Sequence, residues 1–365
     1  MGKGSIKKMF PGSNSAYGFV SYYDQIASLK ENRIIIFKGG PGVGKSSLMK
    51  KIGKELLEQG YNLEYHYCSS DNDSLDALYI PEKKVALMDG TAPHVVDPKY
   101  PGAVEEIVNL GEYWDTSKIR EQRKEIIRLQ EEISWSFQQA YRMLAAAKHC
   151  RDAAEGCFQT PDDVFVSSLA EKLTEKILTK EKKTPFLNNT RRLFASAITP
   201  AGPVNFLSTL VERLSRVYIL TGENKTVKRR VIFKILNIVL EYGFFVEVFS
   251  CALDPQSVDH LIIPELDTAF INSTWPHQYI ASDTNCRVID LDLLIHPAGK
   301  TSFSQALMED QNALQRSYKS AFNKAVSFLS RAKLLHDELE KLYIPHMQFG
   351  KINYLQKRIL ESIIK

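Results

Sequence analysis

The sequence predicts an α/β protein of two tandem three-layer domains, each with a parallel sheet and a long coiled-coil-like helix. Three observations predict it. The chain repeats itself at a shift of 183 residues, each copy alternates short apolar strands with helices, and each copy closes on a long heptad-patterned segment.

The repeat organises everything else. Shifted by 183, RIIIFKGGPGVGKSSLMKKI lies over RVYILTGENKTVKRRVIFKI, and the overlay runs without a gap from Arg33 to His94. It holds 22 identities in 62 positions, where average composition would give on the order of four. Among them are Gly39/Gly222, Lys45/Lys228, Gly60/Gly243, Glu64/Glu247, Cys68/Cys251, Asp71/Asp254 and His94/His277. A shift of 185 lays AAKHCRDAAE over RAKLLHDELE. This is a domain duplication, with the division expected between 1–183 and 184–365, in the charged, proline-containing TKEKKTPF.

Each copy follows one plan. Arg33 to Lys38 reads as a strand, and a helix from about Lys45 to Gln59 is ended by Gly60. A second strand covers Leu63 to Cys68, the polar turn SSDNDS follows, and a third strand runs from Lys84 to Asp89. Strands and helices alternating at this spacing imply a parallel sheet with helices on its faces. A long helix is expected from about Thr116 to Glu155. Ile119, Ile126, Ile133, Ala140 and Ala147 recur every seven residues, with Leu129, Met143 and Cys150 three further on. Its counterpart, Ser304 to Leu342, carries Leu307, Leu314, Ala321, Phe328 and Leu335. Such seams either cover their own sheets or pair with each other, docking the halves as an intramolecular pseudo-dimer.

Composition excludes several classes. A length of 365 residues favours two domains over one core. A net charge of +4 is far short of a nucleic-acid-binding balance. Five cysteines, with no pair spaced as C-x-x-C, argue against a disulfide framework or a zinc site. No signal-like apolar stretch and no membrane-length run is present, so the expectation is a cytoplasmic protein without a membrane partner.

The chemistry concentrates in Gly39-Gly40-Pro41-Gly42-Val43-Gly44-Lys45-Ser46, a full match to G-x-x-x-x-G-K-[ST]. Glycines let such a loop curl until its N–H groups face a phosphate. Lys45 supplies an ammonium for the β- and γ-phosphates, Ser46 a hydroxyl for Mg²⁺, and Ser47 reaches toward the α-phosphate. The apolar strand before the loop and the helix after it supply the context the motif requires. Asp89, closing the apolar run VALMD, is the candidate metal carboxylate; the alternative is a strand that happens to end in Asp before Gly90. Asp71 either orients a water or substrate hydroxyl or caps its turn. His94 either binds substrate or is structural, as its recurrence in the other copy suggests. No Glu directly follows Asp89, so the catalytic carboxylate common in motor-type ATPases is missing there. The expected ligands are a nucleoside triphosphate and Mg²⁺.

The second copy tests the first. Val227 replaces Gly44, Arg229 replaces Ser46 and Asn272 replaces Asp89, while Lys228 keeps the lysine. The loop glycine, the metal hydroxyl and the metal carboxylate are lost together, as expected of a site that no longer uses Mg²⁺ and nucleotide. The remaining cluster, Lys225, Lys228, Arg229 and Arg230, is a solvated face, an anion site, or a source of an arginine finger for the first half.

Beyond the loop, GGPGVGKSSLMKKI, YHYCSSDNDSLDAL, VALMDGTAPHVVDPKYPGAVEEIVNLGEYWD and LFASAITPAGPVNFL resemble a family of tandem-duplicated bacterial P-loop proteins labelled ATPase or nucleotide-kinase-like. The resemblance spans nearly the whole chain. It implies ATP as the nucleotide and assigns Gly39, Gly44, Lys45 and Ser46 to phosphate and magnesium. In that family the second half often keeps its own intact loop, and this chain departs there. The expectation is a Mg-dependent ATP-binding protein, an ATPase acting in the first half and regulated by the degenerate second half. The alternatives are a small-molecule or nucleotide kinase, and a non-catalytic scaffold locked by ATP.

Overall fold

The computed structural model describes residues 2–28, 32–91, 95–158, 161–178, 190–280, 285–295 and 305–365, with the backbone alone at 305–306. The segment TKEKKTPF and His94 lie outside the described residues. The first half comprises β1 (Ile6–Met9), β2 (Gly12–Ser15), β3 (Gly18–Ser21), β4 (Arg33–Lys38), α1 (Lys45–Glu58), β5 (Leu63–Tyr67), β6 (Leu75–Ile80), β7 (Val85–Asp89), β8 (Glu105–Asn109), α2 (Thr116–Glu121), α3 (Arg123–Gly156) and α4 (Asp163–Glu175). The second repeats the plan with β9 (Thr190–Leu193), β10 (Ser196–Thr199), β11 (Gly202–Asn205), α5 (Leu207–Val211), β12 (Arg216–Thr221), α6 (Lys225–Glu241), β13 (Val246–Ser250), β14 (Val258–Ile263), β15 (Thr268–Asn272), β16 (Cys286–Asp290), α7 (Leu291–Ile295), α8 (Gln305–Tyr343) and α9 (Phe349–Ile364).

Two six-stranded sheets result, β1-β5-β6-β7-β4-β8 and its counterpart β9-β13-β14-β15-β12-β16. The protein is thus two tandem α/β domains with parallel-rich sheets. β4 is an interior strand, between β7 and the edge strand β8, and its run Ile34 to Phe37 is buried on both faces. It pairs in parallel with β7 and with β8. The sheets are not wholly parallel. β6 runs antiparallel to both β5 and β7, so SSDNDS closes a hairpin where the alternation implied a direct route to the third strand. That turn is too short for a parallel crossover, which needs a dozen or more residues. The N-terminal strands are a further addition: β1 extends the sheet edge and β2–β3 form a hairpin, repeated as β9 and β10–β11.

The long helices α3 and α8 pair with each other, antiparallel. Trp135 meets Phe328 edge-on at 5.8 Å, and Arg331 reaches Glu132 at 3.4 Å. The buried stripes are Leu129, Ile133, Ala140, Leu144 and Ala147 on α3, and Tyr318, Phe322, Ala325, Leu329 and Ala332 on α8. The expected seam is displaced by about one residue on α8: Ala321, Phe328 and Leu335 flank it, and Leu307 is 44% exposed. A straight helix of 3.6 residues per turn drifts off a seven-residue repeat. Part of the α8 stripe also packs on Trp275, whose ring stands edge-on to Tyr318 at 5.0 Å.

Packing does not follow the chain divide. α9 lays Ile352, Ile359, Leu360 and Ile363 into the first half's core beside Met49, Ile52 and Leu56. α4 lays Val166 and Ala170 into the second half's core beside Val231 and Ile235. The halves also meet through the reciprocal bonds Phe10 N–H to Phe194 O (2.8 Å) and Phe194 N–H to Phe10 O (3.1 Å). Beside them Arg191 pairs with Glu64 at 2.6 Å. Burial pushes the Glu64 carboxyl up, but Arg191 and His66 outweigh it and hold it well below the usual carboxylate range. Among the described residues no helix is long and apolar enough to cross a membrane.

Removing one partner of this nearly buried pair strands the other. Arg191→Ala should lower unfolding stability by about 3–5 kcal/mol at neutral pH, read by urea denaturation. Because the folded Glu64 pKa is depressed, the penalty should be full above about pH 5 and shrink as pH falls through the range where Glu64 protonates.

Candidate functional site

The loop between β4 and α1 has the shape its glycines permit. Gly42 and Gly44 take φ of +70° and +88°, and Gly44 is the residue from which α1 starts. Only glycine takes those angles without strain. Val43 is buried and pins the loop to the core, Pro41 is half-buried, and Ser47 is exposed at the helix start. The Lys45 ammonium folds back to donate to Gly39 O at 2.8 Å and Gly40 O at 3.0 Å, and stands 3.5 Å from Asp89 Oδ2. That pairing follows from the sheet: β7 lies parallel to β4 with Asp89 level with Phe37, so its carboxylate ends beside the loop. Asp89 Oδ1 accepts from Thr91 N–H at 2.9 Å, and Ser46 Oγ accepts from Leu75 N–H at 2.9 Å.

Asp71 is engaged by its own turn. Its carboxylate accepts from Asp73 N–H (3.2 Å) and Ser74 Oγ (2.9 Å), and Lys333 of α8 lies 3.4 Å away. Asp76 is a residue that motif and spacing do not single out. It sits on β6 one residue before Ala77, which is level with Met88, so Asp76 and Asp89 are carried by adjacent strand ends. Burial, with the charges of Asp89 and Asp71 adding, raises its carboxyl to about 7 against the opposing Tyr23 and Cys68 side chains. A signal for it exists in the repeat, where Asp76 and Asp259 form one of the 22 identities.

The second half also reaches the first half's loop. Glu340 Oε1 accepts from Gly42 N–H at 3.1 Å. A Cβ on Gly42 would come within 2.9 Å of Ile344, and one on Gly40 within 3.2 Å of Trp114 and 3.3 Å of Tyr343. Phe349 lies over Gly44. The end of α8 and the start of α9 therefore cover the loop.

In the second half the corresponding loop has become helix. α6 begins at Lys225, which lies under Gly42 in the overlay, where α1 waits until Lys45. Asn224 caps it, accepting from Val227 N–H at 3.1 Å, and Val227 is wholly buried. Lys228 is buried too and donates to Gly222 O (2.7 Å) and Ser273 O (3.1 Å). Burial lowers the Lys225 and Lys228 ammoniums to about 8. Arg229, in the place of Ser46, lies 3.5 Å from Asp259, the counterpart of Asp76, and Asn272 donates to the same carboxylate at 3.2 Å. Arg230 is held by Asp163 at 2.8 Å and by Pro161 O. Neither arginine is a finger for the first site; both are held by neighbours around the second half's own loop. His277 is buried, and burial lowers its imidazole to about 4, so this copy of the histidine is neutral and structural.

The first half's donor set suits a magnesium-bound triphosphate: a glycine cradle, an ammonium, a hydroxyl, and the Asp89 and Asp76 carboxylates. A family model described as "Novel STAND NTPase 3" matches residues 20–91. Over those residues the chain is similar to that NTPase family. The match spans β4, the loop, α1, β5, β6, β7 and Asp89, which is the unit that builds the site. No curated protein and no solved structure matches the chain.

A buried carboxyl raised in the folded state stabilises the first half at low pH and loses that contribution as pH rises toward 7. Asp76→Asn keeps the shape without the charge. In metal-free buffer the variant should be more stable than wild type at pH 8, by about 4 kcal/mol, because each tenfold change in proton affinity is worth about 1.4 kcal/mol. The gap should close below about pH 4, where Asp76 is protonated in the folded and the unfolded chain alike. Thermal unfolding across that pH range reads it.

Proposed function

We propose that the protein is a Mg-dependent ATPase whose single active site lies in the first half, with the second half as its regulatory partner. The observation that carries this reading is the meeting of Lys45 and Asp89 at 3.5 Å beside a loop whose glycines hold left-handed backbone. Gly39 to Ser46 would cradle the phosphates, Ser47 would face the α-phosphate, and Ser46 and Asp89 would hold the metal. Magnesium, when bound, neutralises charge on the transferred phosphoryl group. Lys45 adds the cation that stays with the β- and γ-phosphates. ATP, rather than another nucleoside triphosphate, rests on the family resemblance.

A second reading, a scaffold locked by nucleotide, draws on the cover that Tyr343, Ile344 and Phe349 place over the loop. Raised thermal stability with Mg-ATP but no phosphate release would favour it.

Lys45→Ala removes the loop's side-chain cation. It should weaken Mg-ATP binding by roughly 30- to 1,000-fold, measured with a fluorescent ATP analogue. Undiminished binding would contradict the site. Asp89→Asn should leave nucleotide binding nearly intact while shifting the magnesium dependence of turnover to higher concentration. Overlaying magnesium titrations of variant and wild type would remove Asp89 from the metal site.

A further inference from the structure

We propose that Glu340, carried by the second half, is the water-activating carboxylate of the first half's nucleotide site. The inference rests on the ATPase reading above and names the catalytic group that reading lacks, since Gly90 and not Glu follows Asp89.

Glu340 is already at the phosphate end of the loop. Its Oε1 accepts from the N–H of Gly42 at 3.1 Å, one of the loop groups that cradle phosphate in this motif. A phosphate oxygen and a carboxylate oxygen cannot share that donor, because both are anionic acceptors. Nucleotide must therefore displace Glu340. The displacement is short, because Leu339 is buried and Tyr343 packs on Trp114 at 5.7 Å, which keeps the helix end in place. The freed carboxylate stays beside the γ-phosphate.

The other acids nearby are engaged. Asp89 faces Lys45, and Asp71 serves its turn and Lys333. Asp337 is paired with Lys333 on its own helix. Asp76 is buried beside Asp89 at the adjacent strand end. The His336 ring lies 3.9 Å from the Glu340 carboxylate, and both side chains are partly exposed. Glu340 is thus the carboxylate placed to take a proton. In the step, a water oxygen bonds to the γ-phosphorus while Glu340 accepts the water's proton. The bond from the γ-phosphorus to the β–γ bridging oxygen breaks, and its electron pair leaves on ADP. Glu340 then returns the proton to solvent, leaving ADP and inorganic phosphate.

The repeat shows that the placement belongs to the fold. At a shift of 185, Glu340 corresponds to Glu155, which α3 carries to the second half's loop. There Glu155 Oε2 accepts from Thr226 Oγ1 at 2.7 Å, and its other oxygen lies 3.6 Å from Arg151. Each long helix brings one glutamate to the opposite loop. The first-half loop keeps the left-handed glycine backbone whose N–H that glutamate meets, while in the second half the same stretch is the start of α6.

The test uses the full chain with Glu340→Gln, an isosteric change on a partly exposed side chain. Mg-ATP binding is read by calorimetry and turnover by phosphate release. Loss of the competing charge should tighten binding about tenfold, while turnover falls about a hundredfold or more. Turnover at the wild-type rate overturns the proposal, and so does a joint fall of affinity and turnover, which would mark a structural role. A wild-type chain that neither binds nor hydrolyses Mg-ATP overturns the ATPase reading itself, a result separate from an unchanged variant of an active wild type.

Discussion

Backbone N–H groups that converge on one point need an acceptor there, and the two halves satisfy that need in opposite ways. The first keeps Gly42 and Gly44 in left-handed backbone, so its loop stays unwound, and Glu340 from the other half supplies an acceptor. The second has Val227, whose branched side chain resists such backbone; its N–H turns instead to Asn224, and the loop winds into α6. What remains there is a cavity of about 560 Å³ lined by Gly222, Lys225, Lys228 and Trp275, without the glycine backbone of the motif. Arg229 takes the place of the metal hydroxyl and is balanced by Asp259, so the charges that a metal and a nucleotide would bring are supplied by protein.

The halves depend on each other through the helices that cross between them. α3 and α8 share one apolar seam and end over opposite loops, while α4 and α9 seal opposite sheets. Neither half's core is complete without a segment from the other. A change at one loop therefore acts on a helix whose packing belongs to both halves. On the proposed reading this is how the second half regulates the first: it has lost its chemistry and kept its grip.

Much of this was legible in the sequence. The loop motif, the strand before it, and Asp89 at the end of an apolar run stand where the spacing placed them, because strand and helix periods and glycine requirements are local. The antiparallel strand β6 was not legible, because LDALYI carries a charge near its start and follows a polar turn that reads as loop. That charge, Asp76, is a residue of the candidate site hidden by being read as part of a connection. Glu340 and Lys333 were visible only as repeat partners of Glu155 and Lys148. Heptads declare a seam without naming what it packs on, so nothing in the pattern alone carries α8 to the first half's loop. The one-residue offset of that seam has the same origin, since the helix serves two surfaces.

The central claim is that one glycine loop and one loop wound into helix leave a single nucleotide site per chain. Calorimetric titration of the pure chain with Mg-ATP tests it most directly. The account predicts a stoichiometry near one, abolished by Lys45→Ala and untouched by Lys228→Ala. A stoichiometry of two, or binding that survives the loss of Lys45 and fails with the loss of Lys228, would contradict it.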